Sequence, residues 1–147
     1  MVTEVNKSTE VNKASTRRFY DQVFNKKNRA GIEEFISSNH VDHAAPPGMP
    51  GGIEGVKQTV NMYLTAFPDL HFTVEDMIAE GDKVVVRLTT RGTQQGEFMS
   101  IPPTGKHATV TAIDINRFAG GKCVEHWLQM DTLGLLQQLG VVPAPTK

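Results

Sequence analysis

The chain has 147 residues and a formal net charge of −1, with 15 Lys and Arg against 16 Asp and Glu. That length suits one domain with a real hydrophobic core, and the balanced charge leaves no basic excess to hold a phosphate backbone, which argues against nucleic acid as a partner. No apolar run approaches the ~18 residues of a membrane span, and the polar start MVTEVNKSTEVNK lacks a signal-peptide core, so no membrane partner is expected and the expected location is cytoplasmic.

Residues 1–13, with their EVNK doublet, are expected to form a flexible tail. The single domain should span 14–141, and 142–147 should form a second tail. Phe19, Val23 and Phe24 recur at helical spacing, as do Ile32, Phe35 and Ile36. They predict short helices over Ser15–Asn25 and Arg29–Ser37. NHVDHAAPPGMPGG then reads as a short extended piece and a Pro/Gly-rich loop. A third helix follows, with Ile53, Val56, Val60, Tyr63, Leu64 and Phe67 as its apolar stripe, and Pro68 ends it. Beyond Pro68 the period changes to two. LHFTVEDMIAEG and DKVVVRLTTRGTQQG read as two strands joined by a tight turn. EFMSIPPTGK is a loop, and HATVTAIDINRFAGGKCVEHWLQMD is a long hairpin turning at AGGK. TLGLLQQLG is a closing helix. Helices and strands are segregated, so the fold class is α+β. The expected architecture is a cone-shaped, curved antiparallel sheet wrapped around N-terminal helices, with an internal cavity.

Asp131 stands where the last strand meets the closing helix. Strict alternation groups Cys123, Glu125, Trp127, Gln129 and Asp131 on one face, with Val124, His126, Leu128 and Met130 on the other. If Trp127 points into the cone, Asp131 does too. An acid there has its charged form desolvated, which suits proton transfer. Asp131 also directly precedes a helix, where Asp is a favoured N-cap, and the two roles are compatible. His40 and His43 flank the loop HVDHAAPPG, and His43 can orient a substrate at a cavity mouth or be an ordinary loop residue. Neither their spacing nor the single Cys123 matches a metal-binding pattern, so no metal site is expected. Cys123 reads as a small core residue. His126, opposite Trp127, suggests a structural or subunit-interface role. Arg87 and Arg91 share a strand face, as anion contacts or as solvated and ion-paired positions. Asp114 interrupts the apolar strand TAIDINRF and is a second acid candidate, because a buried polar residue needs a partner. Tyr20, Tyr63, Phe67, Phe98 and Met62 are pocket or plain core. No GxSxG, P-loop or dinucleotide fingerprint is present.

Taken in order, RRFYDQVFN, the stretch from VDHAAPPG to GTQQGEF, IPPTGK and INRFAGGKCVEHWLQMDTLGLLQQLG resemble the SnoaL-like polyketide cyclases. These are also called SnoaL-like ester cyclases, within the nuclear transport factor 2-like superfamily. The resemblance spans roughly residues 14–141. It implies the cone-shaped fold, commonly a homodimer built through the outer sheet face, and a small hydrophobic substrate. The implied reaction is the intramolecular aldol closure of a carbonyl or ester compound, without metal or cofactor. Asp131, in HWLQMD, matches the family's general acid/base. On this reading Trp127, His43, Asp114, Gln94, Tyr63, Phe67 and Arg87 are the candidate substrate-binding residues. Gln94 stands where many relatives carry His, a neutral amide in place of a titratable imidazole, and Ser100 replaces a usual Gly. Alternatives are a non-catalytic ligand-binding protein of the same fold and a ketosteroid-isomerase-like enzyme, for which Asp114 would be the enolate-stabilising acid.

Overall fold

A computed structural model describes residues 4–145. Helix α1 (Glu4–Phe19) runs into a π-helical turn (Tyr20–Asn25), followed by α2 (Gly31–Phe35) and β1 (Ile36–Asp42). Helix α3 (Gly52–Ala66) leads to β2 (His71–Glu80), β3 (Lys83–Thr93), β4 (His107–Ala119) and β5 (Lys122–Met130), and α4 (Thr132–Gln138) closes the chain. The sheet order is β1-β5-β4-β3-β2. All pairings are antiparallel except β1 with β5, which is parallel. The fold is α+β, a curved and unclosed sheet with the N-terminal helices against its inner face.

Two expectations fail at the N-terminal end. Residues 4–13 are helical and belong to α1 rather than to a flexible tail. Their polar composition hides a face at spacing four: Asn12, Thr16 and Tyr20 are all buried, and the helix packs on β2 and β3. The segment 36–42 is a full strand, so the sheet has five strands where four were expected. Beyond Gln138, residues 142–145 form no helix or strand.

The inner face is legible in β4. Ala108, Val110, Ala112, Asp114, Asn116 and Phe118 alternate inward and are all buried. Val84, Val86 and Leu88 do the same from β3. Strand β5 breaks the rule. Arg117 pairs with Glu125 but Phe118 pairs with Cys123, so Val124 is an extra residue, a β-bulge. The bulge reverses the parity that Cys123 sets. Cys123 is inward and fully buried, yet beyond Val124 the inward residues are His126, Leu128 and Met130. Trp127 therefore faces outward. The π-helical turn is clamped to β2 by Asn25, whose amide donates to Phe72 O at 2.9 Å and accepts from Phe72 N at 2.7 Å. That clamp holds Tyr20 and Phe24 against the sheet; π-helical segments recur at functional sites.

Candidate active site

Between the helices and the concave sheet lies a cavity of about 140 Å³. Its wall is chiefly aromatic and aliphatic, with Tyr63 and Phe67, which the sequence left open between pocket and plain core, among the lining side chains. One region is polar. Asp114 from β4, His126 from β5, Asp42 from β1 and Tyr20 from the π-helical turn converge there, and all four line the cavity. Tyr20 donates its hydroxyl hydrogen to Asp114 Oδ2 at 2.5 Å. His126 Nε2 lies 3.4 Å from the same oxygen, and Nδ1 lies 2.9 Å from Asp42 Oδ1. Asn116 Nδ2 donates to the Tyr20 hydroxyl at 3.3 Å. The Asp114 Oδ1 atom takes no hydrogen bond from the described residues.

The register explains the convergence. Asn116 lies opposite His126 across β4 and β5, which puts Asp114 on the adjacent diagonal. Asp42 lies opposite His126 across β1 and β5. Burial by itself pulls the His126 imidazole down, but its hydrogen bonds to Asp114 and Asp42 and their charge outweigh burial and raise it to about 10. His126 is thus an imidazolium at neutral pH, with Nδ1–H donating to Asp42 and the ring ion-paired with Asp114. Burial works to raise Asp42, yet its hydrogen bond to His126 and the charge of that imidazolium bring the carboxyl below its ordinary value. Burial, followed by the charge of Asp114, pushes the Tyr20 phenol well above its ordinary range, so it stays a neutral donor. A neutral donor and a cation on one carboxylate oxygen leave the other oxygen as the exposed Lewis base of the cluster.

Several expected site residues lie elsewhere. Asp131 is exposed and does not line the cavity. Its carboxylate caps α4, accepting from Gly134 N at 2.9 Å. Of its two compatible roles, the geometry realises the cap, because the bulge at Val124 turns its face outward. Trp127 also lies outside the cavity, stacked on the His43 ring with centroids 5.0 Å apart and planes at 12°. His43 itself pairs with Glu125 on the outer face, Nε2 to Oε2 at 2.6 Å. Arg87 is exposed and pairs with Asp76 at 2.7 Å. Gln94 is fully buried but ties down the loop 94–106. Its Nε2 donates to the carbonyls of Gly96, Ile101 and Pro102, and its Oε1 accepts from Thr104 N and Oγ1. These five bonds leave it nothing to offer a ligand.

Tyr20, Asp42 and His126 carry the polar cluster, and reading the sequence assigned none of them that role. A signal for Asp42 existed: in HVDH, alternation puts His40 and Asp42 on one face and His43 on the other. No cue marked the bulge that turns His126 inward. Among the described residues no group of three or more His, Cys, Asp or Glu side chains is arranged to hold a metal ion.

Residues 14–139 match the SnoaL-like polyketide cyclase family. The chain belongs to that family. TsrD from Streptomyces laurentii is 30% identical, with a TM-score of 0.80 over 88% of this chain and 97% of its own. AclR from Streptomyces galilaeus, named as a candidate hydroxylase, is 31% identical, with a TM-score of 0.82 over 95% and 87%. IdmH from Streptomyces antibioticus, named as a candidate polyketide cyclase, is 34% identical, with a TM-score of 0.75 over 88% and 99%. No curated protein matches the chain. Among the described residues no helix is long and apolar enough to cross a membrane.

Proposed function

We propose that this SnoaL-like protein is an acid/base enzyme that closes a ring in a small hydrophobic carbonyl or ester compound by intramolecular aldol addition. Asp114 takes the general acid/base role that the resemblance implies for Asp131. The observation that carries this reading is a carboxyl group in an apolar cavity, with one oxygen bound by Tyr20 and paired with His126, and the other taking no hydrogen bond from the described residues. In the proposed reaction Asp114 Oδ1 removes a proton α to a carbonyl. The resulting enolate carbon adds to a second carbonyl of the same molecule. Asp114 then returns its proton to the alkoxide, so no proton is gained or lost overall. Tyr20 and His126 hold the carboxylate in place, and Tyr63 and Phe67 shape the apolar wall that excludes water.

The test is α-proton exchange, the first half of the reaction. Wild-type protein should deuterate acetophenone at its methyl group in D2O, followed by proton NMR. Asp114→Asn should slow this by roughly 10²–10⁴, the usual worth of a general base, while Asp131→Asn leaves it unchanged. Equal rates for wild type and Asp114→Asn would sink the assignment. Binding of acetophenone without exchange would support the non-catalytic alternative instead.

The same reading includes a homodimer. On the outer sheet face Ile78, Val85, Ile115 and Trp127 are register partners in turn across four strands and form an apolar row. Ile78 in that row is 65% exposed. A self-complementary strip of this kind suits a two-fold interface.

A further inference from the structure

Two polar side chains of the cavity wall take no part in the proton-handling cluster. His40, from β1, is 3% exposed and lines the cavity, and neither of its ring nitrogens has a hydrogen-bond partner among the described residues. Thr59, from α3, lines the same cavity, and its buried hydroxyl is also without a partner among the described residues. The elements that carry them, β1 and α3, pack on each other. A helical Thr often returns its hydroxyl to the carbonyl four residues back; Thr59 does not. The His40 ring is stacked with its centroid 6.5 Å from that of His126. Buried polar groups in native proteins are bonded with few exceptions. Two exceptions on one cavity wall mark a place where a ligand's polar atom fits.

We infer that His40 and Thr59 form a specificity site for a hydroxyl group of the substrate, beside the cluster that handles its carbonyl. The inference rests on the reading of the cavity as a substrate site. The chemical class follows from what the two side chains offer. Burial, and then the charge of His126, lower the His40 imidazole below its ordinary range, so the ring is neutral, with one donor and one acceptor. The Thr59 hydroxyl likewise donates and accepts. A carbonyl oxygen only accepts and would leave the acceptors of the pair unfilled. A carboxylate would have to be buried against two neutral side chains that offer it no counter-charge. A hydroxyl donates, accepts and is neutral. The expected substrate is therefore an uncharged hydroxy-carbonyl compound: an alcohol, an enol or a phenol. A site built to bond a hydroxyl discriminates strongly against the analogue that lacks it, because its own buried groups are then left unpaired.

The cavity is on the scale that takes up a benzene-sized ring. Phenol and toluene are thus suitable probes, nearly equal in size and differing in one hydroxyl. Their affinities would be measured by NMR shift titration of the wild type, Thr59→Val, His40→Leu and Asp114→Asn. Wild-type protein should bind phenol at least as tightly as toluene, despite the stronger hydration of phenol. Thr59→Val should weaken phenol about tenfold, the worth of one net hydrogen bond, and leave toluene unchanged. His40→Leu should act in the same direction. Should it fail to fold, the isosteric Thr59→Val carries the test alone, and the ratio of the two affinities cancels any general loosening of the cavity. If toluene binds and Thr59→Val leaves phenol unaffected, the inference is wrong while the acid/base reading stands. The inference is equally wrong if only Asp114→Asn lowers the phenol affinity. If neither probe enters the cavity, both readings fall together.

Discussion

His126 is the residue on which the polar cluster turns. It joins two carboxyl groups from strands that do not neighbour each other, β1 and β4. Its imidazole is raised from the ordinary 6.5 to about 10 in the folded protein, so folding favours the proton. The stabilisation it contributes is complete below the ordinary value and is lost as pH rises toward about 10. Asp42, held below its ordinary value, acts oppositely: its contribution is present above the carboxylate range and is lost on acidification. The melting temperature of the wild type should therefore fall between neutral pH and about pH 10 more steeply than that of His126→Gln. Parallel curves would show that His126 is not the proton-linked group. At neutral pH the same substitution leaves two buried carboxyl groups without their cation, and it should cost about 3 kcal/mol in a denaturant titration. Cys123 plays no such part. Burial pushes its thiol up to about 12, so at neutral pH it is a core thiol and a poor nucleophile.

At the scale of elements, two polar side chains that sequence reading placed in the site are fasteners. Asp131 caps α4, and the cap needs the bare backbone of Gly134: a Cβ added there would lie 2.2 Å from Asp131 Oδ2. Asp131→Ala and Gly134→Ala should each lower stability by about 1 kcal/mol, with α-proton exchange retained. Loss of exchange in either variant would restore Asp131 to the chemistry. Gln94 holds the loop after β3 through three carbonyls and two groups of Thr104. Gln94→Leu keeps the volume but leaves those groups unpaired, so a loss of at least about 2 kcal/mol is expected. A thermal melt within error of wild type would contradict that account. The amide needs no titration to do this job. At this position, exchanging an imidazole for Gln bears on loop anchoring rather than on proton transfer.

For the whole molecule, the consequence of the curved sheet is that its two faces serve different purposes. The concave face and the helices enclose the cavity, while the convex face carries the apolar row through Val85, Ile115 and Trp127. A dimer through that row should sediment at twice the 16.2 kDa of the chain. Ile115→Glu should convert it to a monomer without changing acetophenone exchange, because Ile115 is not a cavity residue. A monomeric wild type would remove the dimer from the proposal. His43, expected at a cavity mouth, and Trp127, expected inside the cone, stack on each other beside this row instead.

Periodicity alone was enough for the α+β class, the element order from α3 onward and the suspicion attached to Asp114. These follow from local rules: apolar spacing reports the element, and an acid in an inward strand position demands a partner. The family resemblance was legible for the same reason, since it rests on the order of such segments. The active-site assignment was not. Strict alternation counted from Cys123 put Trp127 and Asp131 inside, and one inserted residue at Val124 reversed the outcome for everything after it. A bulge is settled by how two strands pair, and the pairing of β4 with β5 is a property of the assembled sheet. In the same way, only the parallel docking of β1 on β5 brings Asp42 to His126, across 84 residues of sequence.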